Sequence, residues 1–145
     1  AKGGNLFVRR HVFDAIGPFP TELRSGGDVL WTGRATGAGH KIVFSPAAEV
    51  YYPARGFRPL LKKQLRVGRG QTHIWRLQGI SRVLMAKRLL TGFLPPPRSQ
   101  IAAMIAERGT PDMHDRQAGI WFVGWMAMLA TNLGRIAALL GARDR

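Results

Sequence analysis

Asp28 stands behind Gly26 and Gly27 at the head of an apolar run, in a chain that carries 22 Lys and Arg against only 8 Asp and Glu. A carboxylate so placed has one obvious chemistry, general base catalysis. It can take the proton of an attacking hydroxyl, because that hydroxyl acidifies as its new bond forms. The segment "GGDVLWTGRATGA" also reads as a helix with Asp28 at its N-cap, where aspartate is favoured for structural reasons alone. Cap and base are compatible, since a helix N-terminus favours negative charge. The two glycines permit a tight turn and put no side chain in the way of an incoming acceptor. Asn5, at the start of a strand-like stretch entered through Gly3 and Gly4, is a second polar group, and Arg66 and Arg69 in "QLRVGRGQ" are cations able to neutralise a phosphate. His11, His40, His73 and His114 lack the paired spacing of a metal site. The absence of cysteine excludes disulfides and thiolate ligands, and no Ser-His-Asp or Cys-His arrangement is present.

The elements that must position these groups change character along the chain. "NLFVRR" (Asn5–Arg10) has the content of a strand, and "HVFDAIG" reads as a short helix stopped at Gly17-Pro18. A Pro- and Gly-rich loop precedes the Asp28 helix, for which Gly39 is the expected C′ residue. "KIVFS" and "AEVYY" read as two short strands separated at Pro46, which makes the expected fold class α/β. From residue 57 the pattern is helical: Leu61, Leu65, Gly68, Thr72 and Trp75 share one face, with cations elsewhere around it. "SRVLMAKRLLTGFL" repeats that pattern, Pro95–Pro97 break it, and a short helix around Gln100–Glu107 follows.

The stretch Ala118–Gly141 has no charge before Arg135. A membrane helix needs roughly 17–25 apolar residues, so this one reads as spanning or interfacial. Arg135 is placed to snorkel, and Trp121 and Trp125 to sit at an interface. Ala130, Gly134 and Ala138 form a small-residue stripe along which another helix can approach closely.

A net charge of +14 points to a polyanionic partner. There is no acidic residue from Val50 to Ala106, where eleven cations fall between Arg55 and Arg98. With 46% hydrophobic residues the chain is no disordered basic tail. It shows no helix-turn-helix, RNA-recognition or zinc-finger signature, so specific nucleic-acid recognition is not expected.

Taken in order, "GGNLFVRRHVFDAIGPF" and "GGDVLWTGRATGAGHKIVFSPAAEVYYPARG" resemble the second half of family 2 glycosyltransferases. Those are inverting GT-A enzymes that use nucleotide-activated sugars. The resemblance covers roughly residues 2–75. It implies a partial GT-A domain over residues 1–75, followed by a basic amphipathic region at 76–117 and a membrane-spanning or interfacial helix at 118–141. It places Asp28 at the aspartate of an acidic motif, as the base, with Gly27 where glutamate is usual. Gly4 and Asn5 fall on a strand beside donor sugar and acceptor, and Tyr52 stands where many relatives carry histidine. Val67 and Gly68 occupy the Arg and Trp positions of a processive Gln-x-x-Arg-Trp motif, which implies a non-processive enzyme. No Asp-x-Asp occurs in the chain. The nucleotide site and the ligands of an expected Mg²⁺ or Mn²⁺ are therefore expected in a preceding half. The implied setting is the cytoplasmic face of an inner membrane, with a lipid-linked or envelope-glycan acceptor. A basic nucleic-acid-binding module and a non-enzymatic membrane-associated module are the alternatives.

Overall fold

Glycines set the ends of the first helices. In the computed structural model, which describes residues 3–21, 23, 25–109 and 112–141, a 3-10 turn at Gly3–Asn5 leads to α1, Arg10–Ile16. Gly17 ends α1 at φ +83°. The second helix, α2, spans Gly27–Gly37 with Gly26 as its N-cap at φ +88°. At its other end the Gly39 and His40 N–H groups donate to Thr36 and Ala35 carbonyls. That 5→2 and 6→1 pair, with Gly39 at φ +89°, is a Schellman stop. The remaining helices are α3 (Phe57–Leu77), α4 (Arg82–Thr91), α5 (Arg98–Arg108), α6 (Asp112–Asp115) and α7 (Gln117–Leu139).

The chain divides into two compact units, Ala1–Ala54 and Arg55–Arg145. In the first, Trp31 of α2 is buried and its indole N–H donates to the Gly17 carbonyl at 2.7 Å. Phe19 lies 5.0 Å and Phe13 6.0 Å from the Trp31 ring. This aromatic cluster binds α1, the Pro-rich loop and α2 into one body, and so fixes where α2 begins.

In the second unit α3 packs along α7, and glycine on each makes the approach possible. A Cβ on Gly68 would overlap the Thr131 carbonyl, and one on Gly134 the Leu65 carbonyl. The small-residue stripe through Ala130 and Gly134 therefore serves an internal seam, with α3 as the partner helix. The two helices run in the same direction, since Gln64 meets Thr131 while Gln71 and Thr72 meet Arg135. Arg135 Nε and Nη2 donate to Gln71 Oε1 at 3.0 and 2.8 Å, and its guanidinium lies 5.0 Å from the Trp75 ring. The Trp121 and Trp125 indoles donate to the Pro96 and Phe93 carbonyls. Side chains expected at a membrane interface thus have partners within the protein. Asn132, wholly buried, donates to the Leu89 carbonyl near the end of α4.

The expected α/β fold with a partial GT-A sheet is overturned. The structure is 66% helix, and no strand occurs among the described residues. "NLFVRR" is consumed from both ends, by the 3-10 turn and by α1. "KIVFS" and "AEVYY" form no ladder, and their large side chains find no layer to pack on: Phe44 is 85% and Tyr51 90% exposed. The β-branched and aromatic content that suggested strands measures fitness for a half-buried pleated surface, not an intrinsic backbone preference. Without a neighbouring strand and a covering layer, that content specifies nothing.

Candidate functional site

Asp28 sits in the first turn of α2 rather than at its N-cap, which is Gly26. Its carboxylate is held from two sides. Oδ1 accepts the Val29 N–H at 2.9 Å, and Oδ2 accepts the Gly3 N–H at 2.7 Å. The second bond joins the Gly3–Asn5 turn to the head of α2 across 25 residues of sequence. Each carboxylate oxygen has two acceptor positions, so these two bonds leave one on each oxygen for a hydroxyl. Asp28 is half-buried and faces an open cleft of about 480 Å³, lined also by Gly3, Gly4, Pro20, Ser25 and Gly27.

The residues singled out in the first unit therefore converge, each in a distinct way. Gly4 lies under the Tyr52 hydroxyl, which a Cβ at position 4 would overlap. Asn5 donates its side-chain amide to the Ala48 carbonyl at 2.7 Å, so that group ties the turn to the 41–54 segment. Gly27 lines the cleft, and a Cβ there would make only ordinary contact with Pro20, its carbonyl at 3.6 Å. Arg66 and Arg69 belong to the second unit, on α3, where Arg66 is exposed and Arg69 half-buried. Sequence reasoning missed the Phe19, Pro20 and Leu23 wall of the cleft. Only the Pro content of that loop hints at a rigid rim.

The two glycines before Asp28 have separable reasons. Gly26 adopts the left-handed conformation, which a side chain disfavours by roughly 1–2 kcal/mol. Gly26→Ala is expected to destabilise the first unit by about that amount. Gly27 has no such strain, and Gly27→Ala should leave the thermal midpoint nearly unchanged. Paired melting curves test this, and equal losses would show that the tight turn needs both glycines.

Among the described residues no three His, Asp or Glu side chains gather to hold a metal ion. Among the described residues one helix, α7, is long and apolar enough to cross a membrane by length and composition.

No family model and no solved structure matches the chain. Among curated proteins it is 43% identical to Glycosyltransferase AglE of Haloferax volcanii over 148 aligned positions, which take in all of this chain and 49% of that protein. The chain is therefore similar, end to end, to about half the length of a protein named as a glycosyltransferase.

Proposed function

We propose that this chain is the acceptor-side portion of an inverting, non-processive glycosyltransferase of family 2 type. In this reading Asp28 takes the proton of the acceptor hydroxyl while the hydroxyl oxygen attacks the anomeric carbon of a nucleotide-activated sugar. The observation that carries it is the Asp28 carboxylate, held by the Gly3 and Val29 N–H groups and turned to an open cleft. Similarity over all of this chain, and 49% of the relative, to a protein named as a glycosyltransferase supports the same reaction class.

Each residue then has a task. The backbone bonds hold the carboxylate in one orientation, so little reorganisation accompanies proton transfer. Gly27 and the Gly3–Gly4 turn keep bulk away from the acceptor, and Tyr52 covers Gly4. Arg66 and Arg69, on α3 of the second unit, are candidates for a diphosphate by their charge alone. Binding of the donor nucleotide, with any divalent ion that accompanies it, falls to a portion of the enzyme beyond this chain. The acceptor is a lipid-linked or envelope glycan at the cytoplasmic face of a membrane.

Calorimetry on the 145-residue chain tests the division of labour. Titration with UDP- or GDP-sugars is expected to give no micromolar binding. A micromolar dissociation constant would put the donor site here and overturn it.

A further inference from the structure

The side of α7 turned away from α3 is a continuous apolar stripe. The seam with α3 runs through Thr131, Gly134 and Arg135. Half a turn round the helix, Phe122, Met126, Leu129, Leu133, Ile136 and Leu140 fall within about 40° of one line, because their steps of three and four residues alternate around whole turns. Phe122 is 49%, Leu133 52% and Leu140 81% exposed, and the three between them are half-buried. On α3 the arrangement is reversed. Gln64, Leu65, Gly68, Gln71 and Thr72 face α7, which sends the exposed Lys62, Lys63 and Arg66 to the other side and leaves the half-buried Arg69 on the flank. The helix pair is apolar on one outer face and cationic on the other.

We propose that this unit rests on an anionic phospholipid bilayer, with α7 lying in the plane of the interface and its outer stripe submerged, and that α7 does not cross the membrane. Length and apolar content alone would permit crossing. The seam forbids it, because α3 runs beside the middle of α7. A spanning α7 would draw the α3 cations to the depth of Thr131, at about 2.5–3.5 kcal/mol for each charge near the bilayer centre. Lying flat, α7 immerses its stripe by about 5–10 Å and leaves the α3 cations out of the hydrocarbon. The choice of an anionic surface follows from charge. Helix α4, anchored to α7 through Asn132, exposes Val83, Lys87 and Leu90 on one face, a mixture of apolar and cationic side chains suited to acidic headgroups. A membrane setting is shared with the proposed function, but neither Asp28 nor its cleft enters, and the test reads binding rather than transfer.

The chain has no cysteine, so single cysteines at Phe122, Leu133 and Leu140 can carry a fluorescent depth probe. The chain is expected to float with vesicles of phosphatidylcholine and phosphatidylglycerol, to release as salt rises, and to bind pure phosphatidylcholine poorly. The three probes should report one shallow depth. Leu133→Asp and, separately, Phe122→Asp should lower partitioning on the order of tenfold with circular dichroism unchanged. Probe depths that pass through the bilayer centre would overturn the proposal in favour of a spanning helix. Equal binding to neutral vesicles, or folded aspartate variants that bind normally, would also overturn it. So would a vesicle-independent dimer in sedimentation that Leu133→Asp dissolves, since a second copy would then own the stripe.

Discussion

Gly68→Ala is expected to destabilise the second unit by about 3 kcal/mol, the upper end of the usual range for overpacking. The added Cβ would land on the Thr131 carbonyl, and a backbone atom cannot rotate away as a side-chain tip can. Relief requires α3 and α7 to move apart. That movement also strains the bonds from Thr72 to the Arg135 carbonyl, from Thr131 to Gln64 and from Arg135 to Gln71. Gly134→Ala should behave alike, since its Cβ would meet the Leu65 carbonyl. The two substitutions combined should cost less than their sum, because the first already opens the seam the second would clash with. Gly124→Ala is the control. Nothing lies within 4 Å of a Cβ there, so it should be neutral or stabilising by up to about 1 kcal/mol, as expected for glycine replaced in a helix interior. Urea denaturation followed by circular dichroism measures all four, and a Gly68→Ala curve that overlays the wild type would mean the helices do not touch there.

That seam also shows what was legible in the sequence and what was not. Helices announce themselves locally: Gly17 and Gly39 ended elements where their backbone preferences demand, whereas α4 stops at Thr91 with Gly92 as its cap, short of the Pro95–Pro97 run. The small residues on α7 correctly implied a close helix neighbour, but not which one. That neighbour is α3, and Gly68 could be read there only as one more small residue on the apolar face. Strands are less legible, since a strand exists only through its neighbours. "KIVFS" and "AEVYY" carried the composition without the partners. At the site, the sequence pointed to Asp28 but placed it at the helix cap. A two-residue difference in helix start decides whether the carboxylate caps its own helix or, as here, reaches the Gly3 N–H. Pairings across tens of residues, such as Gly3 with Asp28 or Asn5 with Ala48, leave no periodic trace, so the cleft had to be found in three dimensions.

Asp28→Asn, in a chain competent for sugar transfer, is expected to lower kcat by about 10³-fold, the middle of the range for a positioned general base, with little change in the KM for acceptor. The reason is chemical, since the amide cannot take up a proton. A structural consequence must be separated from it. Asp28 accepts two backbone N–H groups, whereas asparagine offers one oxygen and turns its NH₂ toward the other donor. The lost bond is worth about 1 kcal/mol and loosens either Gly3 or Val29. If Asp28 only anchored the turn, the variant would melt earlier and bind acceptor less well, while kcat survived. Asp28→Glu sharpens the contrast. It keeps the charge and the proton affinity of a carboxylate but displaces the oxygens by a methylene, so it should retain more activity than asparagine while disturbing the Gly3 bond at least as much. Asparagine worse than glutamate in kcat marks proton transfer; equal loss in both, tracking the melting temperature, marks an anchor. A folded Asp28→Asn protein with undiminished kcat would take the carboxylate out of the reaction, and with it the proposed mechanism.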